Sequence, residues 1–459
     1  MTLTPATVSE FAARLVGTVL LPDHEGYDDA RRGFNTLHDH RPALIVRPAD
    51  SDDVAGAIRF AKDVGLEIAV RSGGHSIAGY GTVDGGLVID LSTMRSIEID
   101  EAESMAWVEA GVTAGQFTSA STAAGLVTPF GDSGDVGVGG ITLGGGVGWL
   151  SRSLGLTIDS LMAVEVVTAD GSTLAASETD HPDLFWAVRG GGGNFGVVTR
   201  FLFRLHPIDT VLGGILMLPA SPEIVRRLVD LAAAAPDELT MISLVMRIPP
   251  FSIVPVESHG KLGIFITLVW SGDLEAGESV LRRFRDLGPP IADLIRPMPY
   301  AEMYELMPEA PASVTFVTRN LMGDELDDRA IEAILAHMEP ALLPSDESLA
   351  AVEIRVLGGA IARIPIEATA FAHRHRKIIA SVVAAGFDPN EGDSHRAWVE
   401  SLYRAVSHLA DGVYVNFLDV DGETRIGEAY PESTLRRLTD VKRRYDPTNL
   451  FHRNLNVRP

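Results

Sequence analysis

The sequence predicts an α+β protein of two units, and three observations carry the prediction. The chain opens with strand, helix, strand and a glycine turn. Its glycines gather into three clusters, at 73–81, 137–148 and 190–196. Near Pro207 the runs of three or more glycines stop, and to about Asp411 strand-like segments alternate with longer helices, which reads as a second α+β unit.

Taken in order, residues 7–20 read as an amphipathic helix, and Ala43–Val46 as a strand closed by Pro48. Asp50-Ser51 offers an N-cap for a helix through Lys62, with Val54, Ile58 and Ala61 on one face. Glu67–Val70 and Gly86–Leu91 are short buried strands on either side of the first glycine turns. The pattern repeats as a strand at Ala106–Ala110 and a helix from Thr113 to Ala124. A strand at Ala163–Thr168 turns through Asp170-Gly171 into Leu174-Ala175. A short helix with Leu184-Phe185-Trp186 precedes the third glycine cluster, and a strand at Val197–Leu205 follows it. In the second unit Asp273–Asp286 and Asp324–Glu339 predict helices, while Leu262–Trp270, Ser313–Thr318 and Val352–Leu357 predict strands. Pro431 to Tyr445 is a helix with Leu435, Leu438 and Val441 inward, stopped by Asp446-Pro447.

The composition narrows the function. With 459 residues, 46% hydrophobic and 22% charged, the chain can bury sizeable cores. Its net charge of −24 argues against nucleic acid, which needs clustered Lys and Arg. No apolar run approaches the roughly 18 residues of a membrane span. The start, Met1-Thr2-Leu3-Thr4-Pro5, lacks the basic and apolar regions of a signal peptide, so a cytoplasmic address is expected. The absence of cysteine excludes disulfides, thiolate metal sites, a cysteine nucleophile and a cysteinyl cofactor bond. No metal site is expected: there is no H-E-x-x-H, and His373-Arg374-His375 is flanked by arginines.

Chemistry concentrates at Arg71-Ser72-Gly73-Gly74-His75-Ser76. Glycines bring unshielded amides against a ligand and form a nest for anions, and Arg71 adds a fixed positive charge, so the stretch suits a phosphate with an imidazole at its rim. His75 alone reads equally as a turn residue or a functional one. Gly191-Gly192-Gly193-Asn194-Phe195-Gly196 satisfies G-x-G-x-x-G, but a helix precedes it and a strand follows, the reverse of the Rossmann arrangement. Gly-His75-Ser76 lacks the nucleophile elbow of a serine hydrolase. Tight turns would use scattered single glycines. Clusters of three and four in a row suit a long ligand lying along backbone, and a flavin dinucleotide has the length and the pyrophosphate.

Four motifs then carry a resemblance: Arg71-Ser-Gly-Gly-His75-Ser, Asp84-Gly-Gly-Leu-Val-Ile-Asp90, Gly-Gly-Gly-Val-Gly-Trp149-Leu-Ser-Arg152, and Leu184-Phe-Trp-Ala-Val-Arg through Asn194-Phe-Gly. With Tyr414-Val-Asn416-Phe, Tyr445-Asp-Pro-Thr-Asn-Leu-Phe451 and Asn454-Leu-Asn456, the chain resembles the FAD-linked oxidases of the berberine-bridge-enzyme type, in their bacterial branch, from about Asp39 to Val457. The resemblance implies the vanillyl-alcohol-oxidase fold. Two α/β subdomains would bind FAD, built from residues 1–207 and completed by 412–459, while an antiparallel sheet backed by helices in 208–411 forms the substrate-binding domain over the isoalloxazine.

It implies FAD joined through its 8α-methyl to His75. Many relatives add a bond through a cysteine where this chain has Ser133, so a single covalent link is implied. Arg71, Ser72, Gly73, Gly74, Ser76, Gly79 and Tyr80 would surround the pyrophosphate. Thr128, Gly131, Ser133, Gly137, Gly139, Gly140, Thr142, Gly144, Gly145, Gly146 and Trp149 would follow the ribityl chain and ring, joined by Val197, Asn416 and Asn456. Gly131 would lie near the ring face that oxygen must reach.

Oxidation of a small hydroxylated or amine-bearing substrate needs a base beside the transferred hydrogen. Glu353, on a strand in an apolar setting, is one candidate; as an outward residue of an alternating strand, with Arg355, it has no such role. In the bacterial branch a glutamate at the matching place lies by the substrate. Tyr414 is the second candidate and reads equally as packing. The Asn-Tyr of relatives with a catalytic tyrosine is Asn416-Phe417 here. Molecular oxygen is the expected acceptor. A dehydrogenase with another acceptor, and a flavin-binding protein without turnover, are the other readings.

Overall fold

Asp50 caps the helix Ser51–Val64 by accepting the Asp53 amide at 2.9 Å, and Gly65, at φ +76°, ends it in the left-handed conformation. The face carrying Val54, Ala57, Ile58 and Ala61 is buried against a four-stranded sheet of order Thr18–Leu20, Leu44–Arg47, Leu87–Asp90, Ile68–Arg71. The last three strands run parallel, so the expected βαβ opening is present. Leu87–Asp90 inserts between its two arms. The structure is a computed structural model that describes residues 3–250, 252–306, 313–338 and 348–459.

The expected helix over 7–20 is shorter, Pro5–Ala12, and the chain then forms the strand Thr18–Leu20. Asp53 is the reason, because its carboxylate accepts the amides of Val16, Gly17 and Ala49 at 2.7–2.9 Å and turns the chain there. A Cβ on Gly17 would lie 2.1 Å from the Arg47 carbonyl oxygen. A second, wholly antiparallel sheet has the order Ile97–Asp100, Met105–Glu109, Val197–Arg204, Leu161–Val167, Thr173–Ser177. The helix Pro182–Val188 precedes the third glycine cluster and the strand Val197–Arg204 follows it, the arrangement that argues against a Rossmann unit.

The larger sheet is antiparallel throughout, in the order Ala292–Asp293, Thr210–Pro219, Leu262–Trp270, Leu239–Arg247, Leu349–Val356, Ile378–Gly386, Thr315–Gly323, with Arg296–Pro299 also paired to Thr210–Pro219. Alternation along Leu349–Val356 sends Val352, Ile354 and Val356 into a core shared with the helices Pro222–Ala233, Leu274–Arg285, Asp328–His337 and Gly392–Val406. The predicted Asp324–Glu339 helix begins at Asp328, where Asp327 caps it by accepting the Ala330 amide; its expected end at Glu339 lies outside the described residues. From the opposite face, Ile242 and Val269 pack with Trp149 and Leu150 of the first unit.

One core gathers side chains from Val8 to Leu205 and again from Val413 to Val457. A buried knot ties these distant segments. Lys442, in the helix Glu432–Tyr445, donates to Asp446 Oδ2 at 2.7 Å and to the carbonyls of Asn194 and Phe451 at 2.7 and 2.8 Å. Asn194 in turn donates to the Leu455 carbonyl and accepts the Val457 amide. Both members of the ion pair are fully buried, so removing one strands the other's charge. Asp446→Ala is expected to lower stability by about 3–5 kcal/mol, read as a shifted denaturant midpoint at unchanged slope.

Candidate active site

The first glycine cluster leaves the strand Ile68–Arg71. Arg71 does not present its charge at the rim. It is buried, its Nη2 lies 2.8 Å from Asp90 Oδ2, and its stem runs beneath Gly74 and Gly81, where a Cβ would contact it at 3.4–3.5 Å. Burial pushes the Asp90 carboxyl up, but the Arg71 guanidinium and hydrogen bonds from Arg71, Arg47 and Ser92 hold it below the usual carboxylate range. Arg71 is therefore a strut for the loop with its charge matched by Asp90. Anion-binding capacity falls to backbone amides, with Gly74 and Gly79 at φ +75° and +71°.

The second cluster presses onto the first. A Cβ on Gly137 would lie 2.1 Å from Ser72 Oγ and 2.2 Å from the Gly73 nitrogen; a Cβ on Gly73 would lie 2.3 Å from the Gly137 nitrogen. Ser72 Oγ donates to the Ala110 carbonyl at 2.5 Å. The third cluster joins through the amides of Gly190 and Gly192, both donating to the Leu143 carbonyl at 3.0 Å. Much of the glycine requirement is thus close backbone approach within the protein. The expectation that glycines clear space for a ligand along the whole stretch needs narrowing: Gly144 faces Asn416, Gly146 faces Thr157 and Gly148 faces the Phe130 carbonyl, each within 2 Å of where a Cβ would stand. Gly139 packs on Ser72, Gly145 on Phe371, and Gly131 on Ile141 Cδ1. Open space lies at Gly140 and Gly193. Val138–Leu143 within this cluster is a short helix.

His75 stands where these loops meet. Its Nε2 lies 3.2 Å from Asp135 Oδ2, and its ring stacks on Phe34 at 5.1 Å. Ser133 donates to Asp135 Oδ1 at 2.6 Å. The His75 contact, reinforced by Ser133, outweighs partial burial and takes the Asp135 carboxyl down to about 2. Ser76 Oγ accepts the Tyr80 amide. Thr128 and Val197 are buried in the first unit, Thr128 donating to the Arg204 carbonyl at 2.9 Å. Thr142 Oγ1, Trp149 Nε1 and Asn456 Oδ1 are buried atoms without a hydrogen-bond partner among the described residues. Unpaired buried polar atoms are rare, and two of them at Thr142 and Trp149, on or next to the second glycine cluster, with a third at Asn456 in the returning C-terminal segment, fit a polar cofactor such as FAD.

The large sheet contributes a charged cluster. Glu353 and Arg355 share the face turned to the first unit. The apolar setting expected for Glu353 is not observed: Arg355 forks onto its carboxylate at 2.7 and 2.9 Å. Arg355 also donates to Asp132 Oδ2 at 2.8 Å and to the Val147 carbonyl at 3.4 Å, and lies 4.9 Å over the Phe417 ring. Burial pushes its guanidinium down, yet Asp132 and Glu353 raise it overall, so the cation persists. Tyr414 is buried; its phenol oxygen accepts the Gly146 amide at 3.0 Å and the Asn416 side-chain amide at 2.8 Å. Burial pushes this phenol up, against those hydrogen bonds. Asn416 also donates to the Ile141 carbonyl at 3.1 Å. Tyr304 donates to the Gly131 carbonyl at 3.0 Å and lies 5.2 Å from Trp149.

Sequence reasoning passed over Asp132, Asp135, Phe34 and Tyr304. Asp132 and Asp135 flank Ser133 as the carboxylates nearest the second cluster, which was their only available signal. No helix of the described residues is long and apolar enough to cross a membrane, and no group of three or more His, Asp and Glu among them could hold a metal.

Interlocked glycine loops with an imidazole at the junction of the first two, packed against an antiparallel sheet, are the framework of a flavin-dinucleotide-binding oxidoreductase. The FAD binding domain family model matches residues 42–177, and the berberine and berberine-like model matches residues 413–458. The chain is 32% identical over 458 residues to (R)-6-hydroxynicotine oxidase of Paenarthrobacter nicotinovorans, covering 96% of this chain and 97% of that one. The solved 6-hydroxy-D-nicotine oxidase of Arthrobacter nicotinovorans superposes with a TM-score of 0.86 at 28% identity, over 97% and 98% of the two chains. Glucooligosaccharide oxidase of Acremonium strictum, whose FAD is 6-S-cysteinyl and 8α-N1-histidyl, shares the fold at a TM-score of 0.88 and 24% identity, over 99% of both chains. The chain belongs to the berberine-bridge-enzyme-like FAD-linked oxidoreductases.

The loop contact gives a direct test. Gly137→Ala is expected to separate the first two glycine loops and abolish stoichiometric flavin, read as lost absorbance near 450 nm with far-ultraviolet circular dichroism unchanged.

Proposed function

We propose that this enzyme is an oxidase carrying FAD on His75 and oxidising a C–OH or C–N bond of a small organic molecule. The observation that carries the reading is the position of His75 at the junction of the first two glycine loops, in a molecule whose sheet turns Glu353 and Arg355 toward Asp132 of the same unit. Residues 1–207 and 412–459 form the cofactor-binding unit and 208–411 the substrate-binding unit.

Amides of Ser72 to Ser76 hold the pyrophosphate, and Thr142, Trp149 and Asn456 offer polar atoms along the remaining length. FAD held there would supply a two-electron acceptor for the substrate's hydride, with oxygen as the final acceptor.

Glu353 takes the substrate's O–H or N–H proton. Arg355 fixes its carboxylate in one orientation by two parallel hydrogen bonds, and Asp132 holds Arg355 from the other side. Two carboxylates against one guanidinium leave the cluster with a net negative charge, which favours a neutral or cationic substrate over an anion. An amine or hydroxyl donor fits, in keeping with the hydroxynicotine named for the relative. Tyr414 has its oxygen engaged by Gly146 and Asn416 and its ionisation opposed by burial, so it positions the Gly144–Gly146 turn and leaves the proton to Glu353. Phe417 has no exchangeable proton and screens Arg355 from water.

Two substitutions separate cofactor attachment from chemistry. Glu353→Gln is expected to retain bound flavin and slow anaerobic flavin reduction by about 10²–10⁴-fold, measured by stopped-flow absorbance with the best substrate of an amine and alcohol panel. His75→Ala is expected to release all of its flavin on acid precipitation, whereas the parent protein keeps it in the pellet.

A further inference from the structure

The carboxylate facing His75 has no part in substrate oxidation as derived above, and its own support is unusual. Asp135 lies on the second glycine loop, and its backbone carbonyl would stand 3.1 Å from a Cβ on Gly73, so it is fixed against the loop that carries His75. One carboxylate oxygen is 3.2 Å from His75 Nε2 and the other accepts the Ser133 hydroxyl at 2.6 Å. Phe34 stacks on the imidazole with an interplanar angle of 20°, which fixes the plane of the ring. Ser133, Asp135, His75 and Phe34 thus form a chain of contacts that sets which imidazole nitrogen is paired and which is not.

An imidazole has one N–H and one lone pair, and the nitrogen beside a carboxylate keeps the proton. Resting on the proposed attachment of FAD to His75, we propose that Asp135, oriented by Ser133, is the positioning residue for that attachment. It holds the proton on Nε2, leaves Nδ1 with its electron pair as the nucleophile, and stabilises the positive charge that the ring gains as the bond forms. The step balances. The bond formed joins Nδ1 to the 8α-carbon, and the bond broken is one C–H of the 8α-methyl, whose electron pair passes to the ring system. Two protons pass to solvent, one from the methyl group and one from Nε2, and the ring is left with two electrons that molecular oxygen removes, with two protons, as hydrogen peroxide. Held ionised by the His75 contact and by Ser133, the carboxylate keeps its negative charge beside the ring while the bond forms. Ser133, at the position where doubly linked relatives carry a cysteine, orients this carboxylate instead of forming a bond of its own.

The test uses full-length protein incubated with added FAD in air. Bound FAD is measured by absorbance, and linked FAD by fluorescence of the denatured band and intact mass. The parent should become linked and His75→Ala should not. Asp135→Ala should bind FAD but link it about 10²-fold more slowly, with Ser133→Ala slowed less. Added formate should restore linkage in Asp135→Ala, a response that a merely structural role would not give. If Asp135→Ala fails to bind FAD, the near-isosteric Asp135→Asn decides, and slowed linkage is expected there too. Linkage at the parental rate in Asp135→Ala or Asp135→Asn would overturn the assignment while leaving the His75 bond intact. A parent protein without acid-stable flavin would remove the His75 bond itself, and this proposal with it.

Discussion

Two peptide backbones in contact, at Gly73 and Gly137, constrain the rest of the site. With the hypothetical Cβ of either residue about 2.2 Å from the other's backbone nitrogen, no side chain fits between the loops. That contact sets Asp135 opposite His75 and brings the short helix Val138–Leu143 into place, whose last carbonyl gathers the third glycine cluster. Beneath it, Arg71 and Asp90 neutralise each other so that the loop rests on a buried ion pair rather than a free charge. A glycine-to-alanine change here acts on loop geometry first and on the cofactor second.

Arg355 performs the corresponding task between the two units. It stands on the large sheet but makes its contacts with Asp132, Val147 and Phe417, which belong to the first unit and its returning segment. A buried guanidinium with two carboxylates and a ring face has few alternative arrangements, and it fixes how the sheet sits over the glycine loops. The same contacts orient Glu353. Interface geometry and the placement of the Glu353 carboxylate therefore depend on one side chain.

Local signals made much of the fold legible. Asp50 and Gly65 bound one helix, Asp170-Gly171 turns one hairpin, and Leu262–Trp270 is a strand over the range its β-branched and aromatic content indicates. Order within the sheets was not legible, because the insertion of Leu87–Asp90 between two parallel neighbours depends on long-range pairing. The helix expected over 7–20 ended early because Asp53, more than 30 residues later, captures the Val16 and Gly17 amides. At the site, the glycine clusters and His75 stood out by composition. The roles of Arg71 and Glu353 did not, since each depends on a partner distant in sequence or folded from the same strand: Asp90 for Arg71, and Arg355 with Asp132 for Glu353. A lone aspartate such as Asp135 acquires meaning only when a second loop brings it to an imidazole.

The Lys442 knot has a consequence for biosynthesis. The first core and the third glycine loop take their closing contacts from Asp446, Phe451, Leu455 and Val457, which follow the entire large sheet in the chain. Side chains from Val8 to Leu205 are synthesised before the large sheet and those from Val413 to Val457 after it, so the first core can close only after translation has passed residue 457.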